Sequence, residues 1–149
     1  MQTIRLTKEF KFEMAHALKG YDGMCRNIHG HSYELLVTVI GIPVSDKSSV
    51  KLGMVMDFGD LKKLVRKSIV DEFDHALVLS RESADDFKPD AEMFGRTILV
   101  DYQPTSENML IDFAARLLPL MPENIKLHHL LLRETVTSYA EWFAEDNIK

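Results

Sequence analysis

Two histidines and the chain's only cysteine stand close together at the start of a long apolar segment. His29 and His31 flank Gly30, and Cys25 precedes His29 by four residues. Residues i and i+2 of a β-strand point to the same side, so the two imidazoles can bind one metal ion, and the glycine leaves room for a close approach. His16, at the end of an alternating apolar strand, is the best candidate for a third ligand, because a buried imidazole needs a polar partner.

The kind of metal follows from the ligand set. Three neutral imidazoles with an open fourth position are typical of a catalytic zinc site, whereas structural zinc sites use four ligands, often cysteines. Imidazoles also suit iron, nickel or copper, so zinc is favoured rather than required. The alternative is that His29 and His31 are hydrogen-bonded histidines without a metal. His128 and His129, adjacent in a later strand, are predicted to be structural.

Three further positions carry side chains that can do chemistry. Cys25 lies in a polar loop, and a nearby cation would stabilise its thiolate as a base or nucleophile, with metal ligation as the competing idea. Asp74 can orient His75 as a proton shuttle, although a helix end alone also explains this pair. Glu134 closes the apolar face of a strand and needs a donor there, such as two adjacent N–H groups of an aminopyrimidinone.

The elements that must position these residues form an α+β pattern. Alternating or apolar segments predict strands at 9–16, 31–43, 54–58, 96–100 and 126–136. Helical spacing predicts two amphipathic helices, at 60–73 and 103–121, the first capped by Asp57 and the second by Thr105 or Ser106. Segment 76–95 is predicted to be mostly loop. Because hairpins and helices do not alternate regularly, we expect an antiparallel sheet with both helices on one face, whose unpaired edges favour oligomerisation.

Composition limits the classes of function. The chain has 149 residues, 46% of them hydrophobic and 28% charged, which predicts one globular domain over 1–149. The net charge of -5 argues against nucleic acid or an anionic membrane as partner, but not against an anionic small molecule. One cysteine cannot form an intrachain disulfide, and no leader or membrane-spanning run is recognisable, so we expect a cytoplasmic protein.

Six motifs in register resemble one known family. FEMAH, C-x-x-x-HGHSY, MDFGDLK, DH, PTSEN and RET occur in the order seen in the 6-pyruvoyl-tetrahydropterin synthase superfamily, and the chain is most similar to its 6-carboxy-tetrahydropterin synthases of queuosine (7-deazaguanine) biosynthesis. The resemblance covers residues 8–138. It implies a T-fold, with a four-stranded antiparallel sheet and two helices on one face. It also implies that subunits form barrels, as trimers or stacked hexamers, with active sites between subunits.

The same resemblance implies roles for particular residues and a substrate. It assigns zinc to three histidines, His16, His29 and His31. It assigns the catalytic base and the proton relay to Cys25, Asp74 and His75. It assigns the pterin anchor and the surrounding cradle to Glu134, Thr105, Ser106 and Glu107. The implied substrate is 7,8-dihydroneopterin triphosphate, converted to 6-carboxy-5,6,7,8-tetrahydropterin with release of acetaldehyde and triphosphate.

The branch of the family rests on one spacing. Three residues separate the cysteine from His-Gly-His in the carboxy-forming branch, as here, whereas the pyruvoyl-forming branch usually has two more and a folate-related branch replaces the cysteine by glutamate. Three alternatives stay open: a pyruvoyl-forming synthase, a non-catalytic pterin- or purine-binding T-fold module, and an unrelated three-histidine metalloenzyme, which the two long helices disfavour. Segment 78–103 is longer than in compact members, so we expect it to alter the pocket rim or the subunit contacts.

Overall fold

A computed structural model describes residues 1–88 and 90–149, and one mixed β-sheet forms its centre. The strands run in the spatial order β4-β3-β1-β2-β5-β6. Their bounds are β1 Ile4–His16, β2 His29–Gly41, β3 Ala76–Ser80, β4 Thr97–Val100, β5 Ile125–Thr135 and β6 Ser138–Phe143. Strands β1, β2, β5 and β6 pair antiparallel, while β3 and β4 run parallel to β1. The antiparallel strands β1, β2 and β5 carry His16, His29, His31 and Glu134.

Two helices cover one face of this sheet. The first helix is α-helical over Phe58–Val65, continues through a π-helical turn, and ends with the turn Asp71–Phe73. The second helix spans Ser106–Leu117. Their caps agree with the sequence prediction, since the Asp57 carboxylate accepts the Gly59 N–H and the Thr105 hydroxyl accepts the Asn108 N–H. None of the helices formed by residues 1–88 and 90–149 has both the length and the apolar character required to cross a membrane.

The core lies between the sheet and the helices. Alternate residues of β1 and β2 point into it, and Phe12 and Tyr33 stack there with ring centroids 5.3 Å apart. Phe113 of the second helix meets Phe12 edge-on, and Phe73 of the first helix meets Phe113. Both helices therefore pack on the same face, as predicted. The intervening residues of β1, such as Glu13, face away from the helices.

The strand predictions need three corrections. The sheet has six strands rather than four and is mixed rather than wholly antiparallel. Segment 54–58 is not a strand: Val44 exchanges backbone hydrogen bonds with Gly53 and Met54, and Gly53 turns the chain at φ 82°. Segment 76–95 begins with the unpredicted strand β3, and its described residues after Ser80 form loop with two 3₁₀ turns, Arg81–Ser83 and Glu92–Phe94, in line with the prediction. Position 89 of this segment lies outside the described residues. The edge strand β6 was not predicted.

Segment 78–103 contributes β4 and the end of β3 to one edge of the sheet. It also contacts the loop that follows β1: the Gln103 amide donates to the Lys19 carbonyl, and the Lys19 ammonium pairs with Asp86 at 3.0 Å. This segment therefore packs beside the residues that lead from His16 to Cys25.

Candidate metal and pterin site

The three predicted histidine ligands meet at one end of the β1–β2 hairpin. His16 pairs directly with His29 across the two strands, and His31 follows on the same face of β2. The Nε2 atoms of His16 and His29 are 3.0 Å apart. Glu134 of β5 joins them, so that four possible ligand atoms, one from each residue, lie within 4.8 Å of one another. His16 is 1% exposed, so the cluster closes the buried end of the core.

Backbone carbonyls fix how two of the imidazoles are protonated. His16 Nδ1 lies 2.7 Å from the carbonyl oxygen of Pro104, and His29 Nδ1 lies 2.7 Å from that of Asn27. Because a carbonyl oxygen only accepts, both Nδ1 atoms must carry the proton, which leaves the neutral rings with bare lone pairs on Nε2. Two lone pairs facing each other at 3.0 Å repel unless a proton or a cation lies between them. Such Nδ1 bonds to carbonyls are typical of metal-binding histidines.

The third imidazole is held in the neutral form beside a carboxylate. Burial lowers the pKa of His31, although the Glu134 charge opposes this effect. The nearby imidazoles of His16 and His31 hold the pKa of Glu134 below its usual value despite burial. Glu134 Oε1 lies 3.0 Å from His31 Nε2 and 3.4 Å from His16 Nε2. His31 Nε2 is nevertheless buried without a hydrogen-bond partner among the described residues, because its alignment with Glu134 is poor.

These atoms fit a divalent metal ion. Ligands about 2.0–2.1 Å from a tetrahedral ion lie about 3.3 Å from one another. Three separations, His16–His29, His31–Glu134 and His16–Glu134, are 3.0 to 3.4 Å and match that edge, and all four ligand atoms lie within 4.8 Å of one another. An ion would also receive the lone pairs of His16 and His29 and satisfy the unpartnered nitrogen of His31. The three imidazoles therefore supply a nearly preformed site, with Glu134 as a neighbour or fourth ligand.

Gly30 has a role different from the predicted one. A Cβ atom at this position would lie 3.3 Å from the Met14 carbonyl oxygen, tighter than most real contacts. Gly30 alternates with His29 and His31, so this Cβ would point away from the cluster. The glycine therefore allows β1 and β2 to approach each other rather than making room for a metal ion.

Cys25 lies beside the cluster on an exposed turn. The 3₁₀ turn Met24–Arg26 holds it, and the Cys25 carbonyl accepts the Leu18 N–H. The turn ends at Asn27, whose carbonyl orients His29. Burial raises the pKa of the Tyr33 hydroxyl, with smaller contributions from Glu134 and Cys25. The thiol is thus exposed on the turn that leads through Asn27 to His29.

The residues predicted to cradle a pterin stand at the start of the second helix. The Ser106 hydroxyl donates to Glu134 Oε2 over 3.2 Å, which links the helix to β5. Thr105 is the N-cap of this helix, and Glu107 is exposed in its first turn. Pro104, just before the cap, orients His16 through its carbonyl. Residues 104–106 therefore contact both the His16 imidazole and the Glu134 carboxylate.

Asp74 and His75 lie beside Glu13, outside the imidazole cluster. His75 adopts a left-handed conformation with φ 61°, and its N–H donates to the Glu13 carbonyl. Asp74 Oδ1 lies 3.0 Å from His75 Nδ1 and accepts the Glu13 N–H. Burial raises the pKa of Asp74, but these hydrogen bonds and the charge of Arg96 outweigh burial and lower it. A strained non-glycine residue fixed by such contacts is typical of a functional position.

The His75 side chain is 72% exposed and borders a cleft of about 350 Å³. Glu13 and Ser32, which alternate with the core-facing residues, line this cleft together with His31. Within one chain, the Asp74–His75 pair thus lies beside Glu13 and not within the cluster of His16, His29, His31 and Glu134.

Sequence reasoning missed three participants, the carbonyls of Asn27 and Pro104 and the side chain of Tyr33, and it did not place Glu134 among the imidazoles. The carbonyls of Asn27 and Pro104 leave no signal in the sequence, because any residue supplies a carbonyl. The position of Glu134 among the imidazoles depends on the pairing of β2 with β5, which the sequence does not give. Tyr33 could have been found, since a tyrosine two residues after His31 on an apolar face must bury its hydroxyl.

Comparisons with known proteins agree with this geometry. The family model described as 6-pyruvoyl tetrahydropterin synthase matches residues 5–145. The 6-carboxy-5,6,7,8-tetrahydropterin synthase of Haemophilus influenzae is 36% identical over 141 residues, which cover 93% of this chain and 97% of that protein. The protein of the same name from Rickettsia typhi is 32% identical, over 93% of this chain and 99% of its own.

A solved structure has the same fold. The 6-pyruvoyl tetrahydropterin synthase of Caenorhabditis elegans superposes with a TM-score of 0.67 at 27% identity, covering 96% of each chain. The family resemblance drawn from the six motifs is therefore confirmed, and the chain belongs to the 6-pyruvoyl tetrahydropterin synthase family.

Proposed function

We propose that this chain is a zinc-dependent lyase that converts 7,8-dihydroneopterin triphosphate to 6-carboxy-5,6,7,8-tetrahydropterin, with release of acetaldehyde and triphosphate. The observation that carries this proposal is the convergence of three imidazole Nε2 atoms beside the Glu134 carboxylate. Relatives that carry this synthase name match nearly the whole chain. A cytoplasmic role in queuosine (7-deazaguanine) biosynthesis is part of the same proposal.

The chain's own residues would prepare the metal site. His16, His29 and His31 would hold Zn²⁺, because neutral imidazoles in a tetrahedral arrangement suit this ion. When bound, Zn²⁺ supplies a positive charge that polarises oxygen atoms of the substrate side chain. The Pro104 and Asn27 carbonyls would keep two of the rings in the binding tautomer.

Glu134 and Ser106 would orient the pterin ring. The carboxylate is ionised at neutral pH, because its pKa lies below the usual value, and its two oxygens can accept two adjacent N–H groups of the ring. Ser106 holds one of these oxygens, so the carboxylate has a defined direction. The ring would then lie with its side chain towards the imidazoles and Cys25, whose thiolate would remove a side-chain proton.

The second proton transfer would need another copy of the chain. His75, oriented by Asp74, is the proposed donor, yet it lies outside the imidazole cluster of its own chain. An oligomer that brings the His75 surface of one subunit to the Cys25 loop of its neighbour would complete the site. Trimers or stacked hexamers with active sites between subunits are thus part of the proposal.

A product assay with one pair of variants tests the proposed reaction. We expect the zinc-loaded protein to release acetaldehyde and 6-carboxy-5,6,7,8-tetrahydropterin from 7,8-dihydroneopterin triphosphate. Cys25→Ala should lower turnover at least about 100-fold, the size of a lost general base, without changing zinc content. Met24→Ala, which alters an exposed neighbour in the same turn, is the control and should keep full turnover. A nearly active Cys25→Ala variant would refute the role of the thiol.

Mixing two inactive variants tests the shared site. Subunits carrying Cys25→Ala and His75→Ala, co-expressed in equal amounts, should regain about a quarter of the parental turnover, since one interface in four then combines an intact cysteine with an intact histidine. A site contained within one chain would regain none. Turnover without acetaldehyde would instead indicate the pyruvoyl-forming reaction, which the family model's description makes the second candidate.

A further inference from the structure

The hydroxyl of Tyr33 has no evident purpose in the fold itself. The side chain is completely buried, and its ring stacks on Phe12. Throughout the described ranges 1–88 and 90–149, the hydroxyl finds no hydrogen-bond partner. A buried hydroxyl without a partner destabilises a protein, and phenylalanine would fill the same space without this cost. The oxygen is therefore expected to serve a state other than the ligand-free one.

The groups around this hydroxyl indicate which ligand-bound state it serves. The Tyr33 ring lies edge-on to His31 and His16, with centroids 5.5 and 6.2 Å away. Glu34 pairs with Arg133 across β2 and β5, so the next positions of this register place Tyr33 beside Glu134. The unpartnered donor thus stands next to the imidazoles that fit a metal ion and next to the carboxylate proposed to bind the pterin.

One oxygen of that carboxylate lacks a donor among the described residues. Glu134 Oε2 accepts from Ser106, whereas Oε1 faces the Nε2 atoms of His31 and His16. His16 Nδ1 is bound to the Pro104 carbonyl, so its Nε2 has no N–H for Oε1, and His31 Nε2 makes no hydrogen bond. A metal ion held by the two Nε2 lone pairs would leave Oε1 equally without a donor. Oε1 then needs another donor, and the Tyr33 hydroxyl is a free donor in this pocket.

We infer that Tyr33 is a positioning residue, whose hydroxyl donates a hydrogen bond to the Glu134 carboxylate when metal and pterin are bound. The bond turns the carboxylate away from the imidazoles and holds it towards the ring N–H groups of the ligand. This inference rests on the proposed pterin-binding function. It gives the tyrosine that follows His-Gly-His a role separate from metal ligation and from proton transfer.

Two tyrosine-to-phenylalanine variants separate this role from a structural one. In the metal-free protein, Tyr33→Phe should keep or raise the melting temperature, because it removes an unpartnered oxygen. The control is Tyr102→Phe, whose hydroxyl donates to Asp112 Oδ2 over 2.6 Å, and it should lower the melting temperature by about 2–4 °C. With zinc present, Tyr33→Phe should weaken binding of the probe 7,8-dihydroneopterin about tenfold, and Tyr102→Phe should leave it unchanged.

A double-mutant cycle tests the proposed acceptor. Glu134→Gln should weaken probe binding, and adding Tyr33→Phe to this variant should weaken it little further, since both changes break the same bond. Additive losses would overturn the inference, as would a melting temperature of Tyr33→Phe that falls like that of Tyr102→Phe with unchanged binding. If the parent binds the probe and Tyr33→Phe binds it equally, only this inference fails. If the zinc-loaded parent does not bind the probe, the proposed function fails and this inference falls with it.

Discussion

Zinc should stabilise this protein, and the size of the effect follows from linkage. At a free zinc concentration 100 times the dissociation constant, binding to the folded chain alone adds about 2.7 kcal/mol to the free energy of unfolding. The 149 residues correspond to an unfolding entropy of about 0.3 kcal/mol per kelvin. The melting temperature should therefore rise by about 9 °C when zinc is added to the chelator-treated protein.

Alanine substitutions at two of the ligands should remove this shift but differ in the metal-free state. His31 has a buried Nε2 without a partner, so His31→Ala should cost the metal-free protein less than about 1 kcal/mol. His16 is 1% exposed and donates to the Pro104 carbonyl, so His16→Ala leaves a cavity and an unsatisfied oxygen, at a cost of about 2–3 kcal/mol. The lower starting stability of His16→Ala is therefore not a measure of metal binding.

Differential scanning fluorimetry with and without zinc measures the shift, and metal analysis after gel filtration measures zinc per subunit. His129→Ala is the control, because this imidazole binds Glu141 across β5 and β6 and lies outside the cluster. It should keep the full 9 °C shift. A His31→Ala variant that retains the shift and full zinc content would show that the three imidazoles do not hold the ion.

Two further predictions concern the framework. Arg116 bridges the helices by donating to Asp112 at 2.9 Å and Glu72 at 2.5 Å, so Arg116→Met should leave both carboxylates without this partner and cost about 2 kcal/mol in chemical denaturation. Asp74 has a lowered pKa and accepts the Glu13 N–H, so Asp74→Asn should be less stable than the parent by about 1 kcal/mol at pH 7. Because the folded-state pKa is below its ordinary 3.8, this difference should be complete above about pH 4 and disappear as the pH falls further; a constant difference down to pH 2 would contradict it.

Local periodicity was sufficient to predict the elements that have one buried face and one exposed face. The alternation around Phe12 and the helical spacing around Phe113 predict β1 and the second helix, because each has one apolar face. Strand β3 has no such signal: four of its five residues are buried, so alternation is lost. Segment 54–58 has the composition of a strand, yet Asp57 already caps the first helix and Phe58 begins it.

The site was predictable where it depends on one strand pair. Alternation alone places His29 and His31 on one face of β2. A hairpin of β1 and β2 then places His16 next to His29 on the neighbouring strand. Alternation along β5 puts Glu134 on the face of Leu130 and Leu132, but its place beside the imidazoles could not be predicted, because sequence spacing does not show that β5 pairs with β2 or in which register.

Among the described residues, the buried side-chain atoms without a hydrogen-bond partner lie close together. Only two buried side-chain nitrogen or oxygen atoms there lack a partner, His31 Nε2 and the Tyr33 hydroxyl, and they belong to neighbouring positions on one face of β2. Each costs about 1–3 kcal/mol that a simple apolar core would not incur. A fold that satisfies its other buried side chains but leaves these two open keeps a nitrogen acceptor and an oxygen donor available side by side. The proposed metal would use the first and the proposed Glu134 contact would use the second, so ligand binding would restore the stability that the free protein lacks.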